Sequence, residues 1–398
     1  MKTLLIIFGT RPEAIKLAPL ILQAQRDSRF KIIIGSTGQH REMLRPILQF
    51  FEITPDLDLD LMKPGQSLVD ISCGVMSGLD HFLQNNKVDG IVVQGDTTSC
   101  FMASVVGFYH RVPVIHVEAG LRSGDIESPF PEEFNRKATG ILAQFHFAPT
   151  ETSRQNLLDE NHKEENIFVT GNTGIDSLLE VRRRLHDDKD HWKSLNSKYS
   201  FLDPDKKLVL VTVHRRESFG APMEEVMKGL LQLSQREDIE ILIPLHLNPQ
   251  VRRSAEAIFG SKAKWIDKNE TVERHQSKIW LCEPVDYVPF IYLMERAHKI
   301  ITDSGGVQEE APTLGKPILI AREKTERPEA IEAGTSMLIP LEEEAFYKMA
   351  CHILDTPEVF NRMAQAKNPF GDGNASKKIL SVLACLLYTS PSPRDLST

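Results

Sequence analysis

The sequence predicts an α/β protein of two Rossmann-like domains facing a central cleft. Three observations lead there. Short apolar runs alternate with longer amphipathic stretches along the chain, the pattern of parallel strands joined by crossover helices. The scheme starts twice, at residues 4–8 and again at 208–213. Each start ends in a turn carrying basic residues, Gly9-Thr10-Arg11-Pro12 in one half and His214-Arg215-Arg216 in the other. At 398 residues the chain can fill two or three domains, each with its own core.

In the first half the expected strands are 4–8, 31–35, 90–94, 113–117, 145–148 and 167–170. Helical patterns lie between them at 12–24, 68–82, 98–110 and 132–142. The pattern pauses at Gly171-Asn172-Thr173-Gly174, which sets the first domain at 1–172 and the second at 173–373. A charged helical stretch, 176–193, leads to strands at 208–213, 240–245, 279–282, 299–302, 317–320 and 337–340. Two such domains bring the carboxyl ends of both sheets to a shared cleft. That is the geometry of the glycosyltransferase-B class, in which the last helix crosses back to the first domain. Residues 374–387, with Ile379, Leu380 and Leu383, are expected to form it. Two stretches fall outside the scheme. The mostly polar 261–278 reads as a surface insertion. The end, 388–398, has two prolines and no periodicity, and reads as a disordered tail or a cloning scar.

Composition narrows the function classes. With 41% hydrophobic and 26% charged residues the chain is an ordinary globular protein. A net charge of −8 speaks against a nucleic-acid partner, which calls for a basic stripe. The cysteines (Cys73, Cys100, Cys282, Cys351, Cys385) are odd in number, scattered and never in C-x-x-C spacing. They suit a reducing compartment, with neither a disulfide framework nor a zinc site, so no metal is expected. The apolar opening is too short for a signal peptide and is broken by Arg11-Pro12-Glu13. No run approaches the ~20 apolar residues of a membrane span. The expectation is a cytoplasmic protein without a membrane partner.

The chemistry centres on Thr302-Asp303-Ser304-Gly305-Gly306-Val307-Gln308-Glu309-Glu310, a strand, a glycine turn and a helix start. That arrangement turns unsatisfied N–H groups toward an anion. Gly305 and Gly306 let backbone approach a phosphate closely, Ser304 adds a hydroxyl, and Glu310 can accept from ribose hydroxyls. The competing explanation is a plain βα turn with a tight helix–sheet contact. Asp96, in Gln94-Gly95-Asp96-Thr97-Thr98-Ser99, sits where a strand meets a helix, either as an N-cap or as a proton-transfer carboxylate. His116 and Glu118 are expected to point the same way on their strand, because side chains alternate with a period of two. His116 is unassigned, whereas a carboxylate ending an apolar strand needs a partner. Glu132 and Glu133 occupy an acidic first helical turn, and Arg136, one turn on, either pairs with Glu132 or faces a phosphate. His214 ends the second domain's first strand as a phosphate donor or acid–base group. Arg11 and Lys16 flank a helix start, and Arg327 adds a further cation. Carboxylates, a histidine and cations around a diphosphate cradle suggest acid–base chemistry on a nucleotide sugar.

The motifs together resemble the UDP-N-acetylglucosamine 2-epimerases, the bacterial non-hydrolysing type in particular. They are FGTRPEAIKLAP (8–19), TGQHREML (37–44), QGDTTS (94–99), HVEAGLRS (116–123), FPEEFNR (130–136), TVHRRES (212–218), HLNP (246–249), TDSGGVQEEAP (302–312), ERPEA (326–330) and NPFGDG (368–373). The resemblance implies a homodimer that inverts C2 of UDP-N-acetylglucosamine without cofactor, by eliminating UDP to a 2-acetamidoglucal and adding it back. It implies acid–base roles for Asp96, Glu118, Glu132 and His214. It also implies nucleotide contacts at Arg11, Lys16, Arg136, Phe290, Ser304, Gly305, Gly306, Glu310 and Arg327. Bacterial members can bind a second substrate molecule as activator, here near Gln39, His40 and Arg41, although Pro64-Gly65 stands where such relatives carry a basic residue. Hydrolysing epimerases and UDP-sugar transferases share the fold and are the alternatives.

Overall fold

The computed structural model describes residues 1–39, 41–63, 65–213, 220–267 and 277–389. The chain divides into two compact units, Met1–Ser177 with the described part of Phe370–Thr398, and Leu178–Pro369. His40, Pro64, His214, half of the expected insertion and most of the expected tail lie outside the described residues.

The first unit holds seven parallel strands: β1 (Lys2–Phe8), β2 (Phe30–Ser36), β3 (Leu57–Asp58), β4 (Gly90–Gln94), β5 (Val114–Val117), β6 (Phe145–Ala148) and β7 (Ile167–Val169). Their order is β3-β2-β1-β4-β5-β6-β7. Leu4, Leu5, Ile6, Ile7 and Phe8 are all buried, as expected of a parallel strand covered on both faces. The order reverses between β1 and β4, which pair from Leu4↔Gly90 to Ile6↔Val92. Such a switch point parts the loops at the strands' carboxyl ends and makes room for a ligand.

The second unit repeats the plan with β8 (Lys207–Thr212), β9 (Ile239–Pro244), β10 (Ala263–Ile266), β11 (Ile279–Cys282), β12 (Lys299–Thr302), β13 (Ile318–Ile320) and β14 (Ser336–Leu338). Their order is β10-β11-β9-β8-β12-β13-β14, and the switch point falls between β8 and β12. Thr212 and Thr302 share a 2.7 Å hydroxyl–hydroxyl bond there.

Several expectations need correction. Part of the expected surface insertion is β10, an edge strand in register with β11 from Ala263↔Ile279 to Ile266↔Cys282. An edge strand tolerates lysines on its outer face, which disguised it. The single helix expected at 176–193 is two, Thr173–Asp187 and Lys189–Lys198, because the Asp188 carboxylate accepts from the amides of Asp190 and His191 and starts a new helix. The helices Arg41–Phe51 and Glu151–Asp159 were not anticipated; the first contains Pro46 and the second buries only Ser153 and Leu157. The last helix runs Ala375–Thr389, past the expected start of the tail, and Tyr388 donates to the carbonyl of Arg29 at 2.9 Å. It packs in the first unit, with Ile379, Leu380, Leu383 and Leu387 buried. Asp176 fastens its start by accepting from the amides of Ala375 and Ser376. Among the described residues no helix is long and apolar enough to cross a membrane.

Candidate active site

Three neighbouring strands of the first unit, β1, β4 and β5, deliver Arg11, Asp96 and Glu118 to one edge of the sheet. Cross-links between side chains decide how these groups are presented.

Glu118 lies one residue beyond β5 and has φ 63°. It therefore leaves the strand alternation, and the expected shared direction with His116 does not hold. A non-glycine residue in the left-handed region is uncommon and costs energy that the surroundings must supply. The supply is visible. Lys16, from the helix Arg11–Gln25, donates to both carboxylate oxygens of Glu118 at 2.7 and 2.5 Å. Two residues on, Gly120 has φ 88°, and a Cβ there would fall 2.1 Å from the carbonyl of Ser153. His116 is buried and bonds the Gly95 carbonyl at 2.7 Å. Burial pulls its pKa down to about 4, so it is a neutral structural link between the β4 and β5 turns.

Asp96 is not the helix cap. Thr97 is, accepting from the amide of Cys100 at 3.0 Å, which leaves the Asp96 carboxylate for other work. Arg136 grips it through Nε at 3.1 Å and through a second guanidinium nitrogen. Of the two alternatives for Arg136, the pair with Glu132 is not formed. Arg136 instead bonds Glu133 at 3.0 Å. Glu133 is fully buried and also accepts from the amides of Ser123 and Gly124. Burial alone would lower the Arg136 pKa, but Asp96 and Glu133 beside it hold it above the ordinary value. Glu132 is half-buried in the helix's first turn, with no hydrogen bond or ion pair among the described residues. Gln39 accepts from Ser99 at 2.9 Å, and Arg41 opens the helix Arg41–Phe51.

In the second unit the turn after β12 opens a short helix, Gly305–Glu310, with Ser304 at its N-cap. Among the described residues, nothing but the Ser304 hydroxyl, at 4.0 Å, would meet a Cβ placed on Gly306. Packing against the described residues therefore does not require a glycine at 306. Glu310 accepts from Tyr287 Oη at 3.2 Å, and burial holds the Tyr287 phenol well above its ordinary pKa, as a donor. Phe290 lies half-buried on the same helix, Tyr287–Arg296. Arg327, in the loop after β13, is ion-paired with the nearly buried Glu309. Thr97, Glu133 and Glu13 stand inside the motif stretches, but sequence reasoning gave them no part in the site; Tyr287 lies in no motif, and the capping spacing Thr10-x-x-Glu13 could have flagged Glu13. Among the described residues no cluster of His, Cys, Asp and Glu is arranged to hold a metal.

The chain matches the family profile "UDP-N-acetylglucosamine 2-epimerase" over residues 22–384. It is 48% identical to the UDP-N-acetylglucosamine 2-epimerase of Yersinia pestis, over 95% of this chain and 97% of that one. The Neisseria meningitidis UDP-GlcNAc 2-epimerase, solved with UDP-GlcNAc, superposes with a TM-score of 0.85 at 42% identity, over 97% of this chain and all of that one. A S. aureus MnaA–UDP co-structure superposes with a TM-score of 0.82 at 39% identity, over 99% of both chains. By profile, identity and fold alike, the chain belongs to the UDP-N-acetylglucosamine 2-epimerase family.

Proposed function

We propose that the protein interconverts UDP-N-acetylglucosamine and UDP-N-acetylmannosamine by inverting C2 without net hydrolysis. The observation that carries this reading is a pair of carboxylates at adjacent strand ends, Glu118 held by Lys16 and Asp96 held by Arg136. The C2 hydrogen of the amino sugar is only weakly acidic, so its removal must accompany departure of the diphosphate. In the forward step a carboxylate takes the C2 proton, the C1=C2 bond forms, and the bond from C1 to the diphosphate oxygen breaks with its electrons leaving on UDP. In the return step a proton is delivered to the opposite face of C2 and UDP adds back to C1. Asp96, Glu118, Glu132 and His214 are the proposed proton-transfer groups. Arg11, Lys16 and Arg136 meet the negative charge gathering on the leaving diphosphate. Ser304 and the amides of Gly305 and Gly306 receive the phosphates, Glu310 the ribose, and Phe290 and Arg327 complete the nucleotide contacts. Gln39, His40 and Arg41 are the proposed place for a regulatory second substrate molecule.

Turnover in deuterated water tests the chemistry. Purified protein with UDP-N-acetylglucosamine and no added cofactor is expected to give UDP-N-acetylmannosamine carrying deuterium at C2, read by NMR. Retention of the original hydrogen overturns the elimination route, and accumulation of free N-acetylmannosamine identifies a hydrolysing enzyme instead.

We also propose a homodimer, supported by an apolar surface on the adjoining helices Thr98–Tyr109 and Glu132–Leu142. Phe108, Tyr109 and Ile141 are 58%, 70% and 78% exposed there. A patch of this kind is ordinarily covered. Ile141→Lys should convert the dimer to monomer in sedimentation velocity, and an unchanged dimer moves the interface elsewhere.

A further inference from the structure

One buried charge has no part in the chemistry above. The Glu13 carboxylate, 1% exposed, accepts three hydrogen bonds. Two come from the β1 turn, from the amides of Gly9 at 3.0 Å and Thr10 at 2.7 Å. The third comes from the β4 turn, the Thr97 hydroxyl at 2.7 Å. Closing a capping box at the helix start accounts for the Thr10 bond alone. The Gly9 bond adds a second hold on the β1 turn, and the Thr97 bond goes further, across the switch point between β1 and β4. Burying a carboxylate is unfavourable, and here burial lifts its pKa against the pull of Thr97, Gly9 and Thr10.

The same two turns meet a second time. An ideal Cβ on Gly9 would fall 2.3 Å from both Ser99 Oγ and Thr37 Oγ1, so the β1 turn lies flush on the start of the helix Thr98–Tyr109. Thr37 and Ser99 are bonded to each other at 2.9 Å. On either side of these links stand Arg11, two residues from Gly9, and Asp96, next to Thr97.

We infer that Glu13 is a positioning residue for the epimerisation, holding the Asp96-bearing turn in register with the Arg11-bearing turn across the β1–β4 switch point. Glu13 touches no reacting atom in this scheme. It acts through Thr97, next to Asp96; the Thr97 hydroxyl donates to Glu13 and accepts from the amide of Cys100. The inference rests on the proposed proton-transfer role of Asp96.

Gln at position 13 keeps the volume but has one acceptor oxygen, so at least one of the three donors then faces an NH2 group. Displacements of about an ångström at a reacting group cost on the order of 100-fold in rate. Glu13→Gln is therefore expected to lower kcat by about 10–100-fold, with KM and melting temperature little changed. Because its effect runs through Asp96, the double variant Glu13→Gln/Asp96→Asn should be no slower than Asp96→Asn alone. A kcat for Glu13→Gln equal to wild type, or a double variant slowed by the product of the single effects, overturns the inference. Near-normal turnover by Asp96→Asn overturns both it and the reading beneath it. If Glu13→Gln does not fold, Thr97 decides the matter from the other side of the link. Thr97→Ala slow and Thr97→Ser normal supports the link, and Thr97→Ala at wild-type rate overturns it.

Discussion

At the scale of single residues, the site is built from charges whose partners lie far away in sequence. Lys16 and Glu118 are 102 positions apart, and Arg136 and Asp96 are 40 apart. The identities of these residues were legible in the motifs, but their pairing was not, because no local periodicity encodes which strand ends become neighbours. Asp96 shows the difference well. Sequence leaves it as cap or catalyst, and the structure gives the cap to Thr97. Gly306 yields a direct test. Among the described residues its Cβ direction is open, and its φ is not positive, so Gly306→Ala should fold with an unchanged melting temperature. If the direction is open because a phosphate comes there, UDP binding by calorimetry should weaken at least about tenfold, or about 1.4 kcal/mol. Unchanged affinity returns Gly306 to a neutral turn position.

At the scale of elements, strands buried on both faces announced themselves as continuous apolar runs, and β4, β6, β11 and β12 lie where the sequence put them. The strands that escaped were short or edge-placed: β3 has two residues, and β10 carries Lys264 beside Trp265. The last helix was read correctly as apolar, but its fastening by Asp176 joins residues 199 and 200 positions apart, beyond the reach of pattern. Leu383 is fully buried in it, so Leu383→Ala should cost about 2–5 kcal/mol in denaturant unfolding. Ending the chain after Thr389 should leave stability unchanged, whereas ending it before Ala375 should strip the first unit of this cover and lower the melting temperature sharply. A stable protein lacking the helix would show that its contacts are dispensable.

At the scale of the whole molecule, buried titratable groups set the response to acid. His116 and His146, both buried, have pKa values pulled down to about 4 and about 3 by burial. The folded state therefore refuses protons that the unfolded chain accepts below the ordinary histidine value, so their contribution is intact above pH ~6.5 and is lost as pH falls toward their folded values. Glu13, Asp176 and Glu240 act in the opposite sense, since burial raises their pKa values and their contribution is present at low pH and lost as pH rises. Removing one histidine separates the two effects. Between pH 7 and pH 5.5, wild type should lose about 1 kcal/mol more stability than His146→Gln, and parallel losses would show that His146 does not titrate on unfolding. The sequence by itself determined the α/β plan, its double start, the apolar strands and the motif residues of the family. These follow from local chemistry, where the period of two or 3.6, a glycine or a proline acts on its own neighbourhood. Only the tertiary structure decided which carboxylate meets which cation, that Thr97 rather than Asp96 caps its helix, and that Glu13 ties two turns together. Those outcomes depend on strand order, because a parallel sheet brings together the ends of strands that the chain itself keeps far apart.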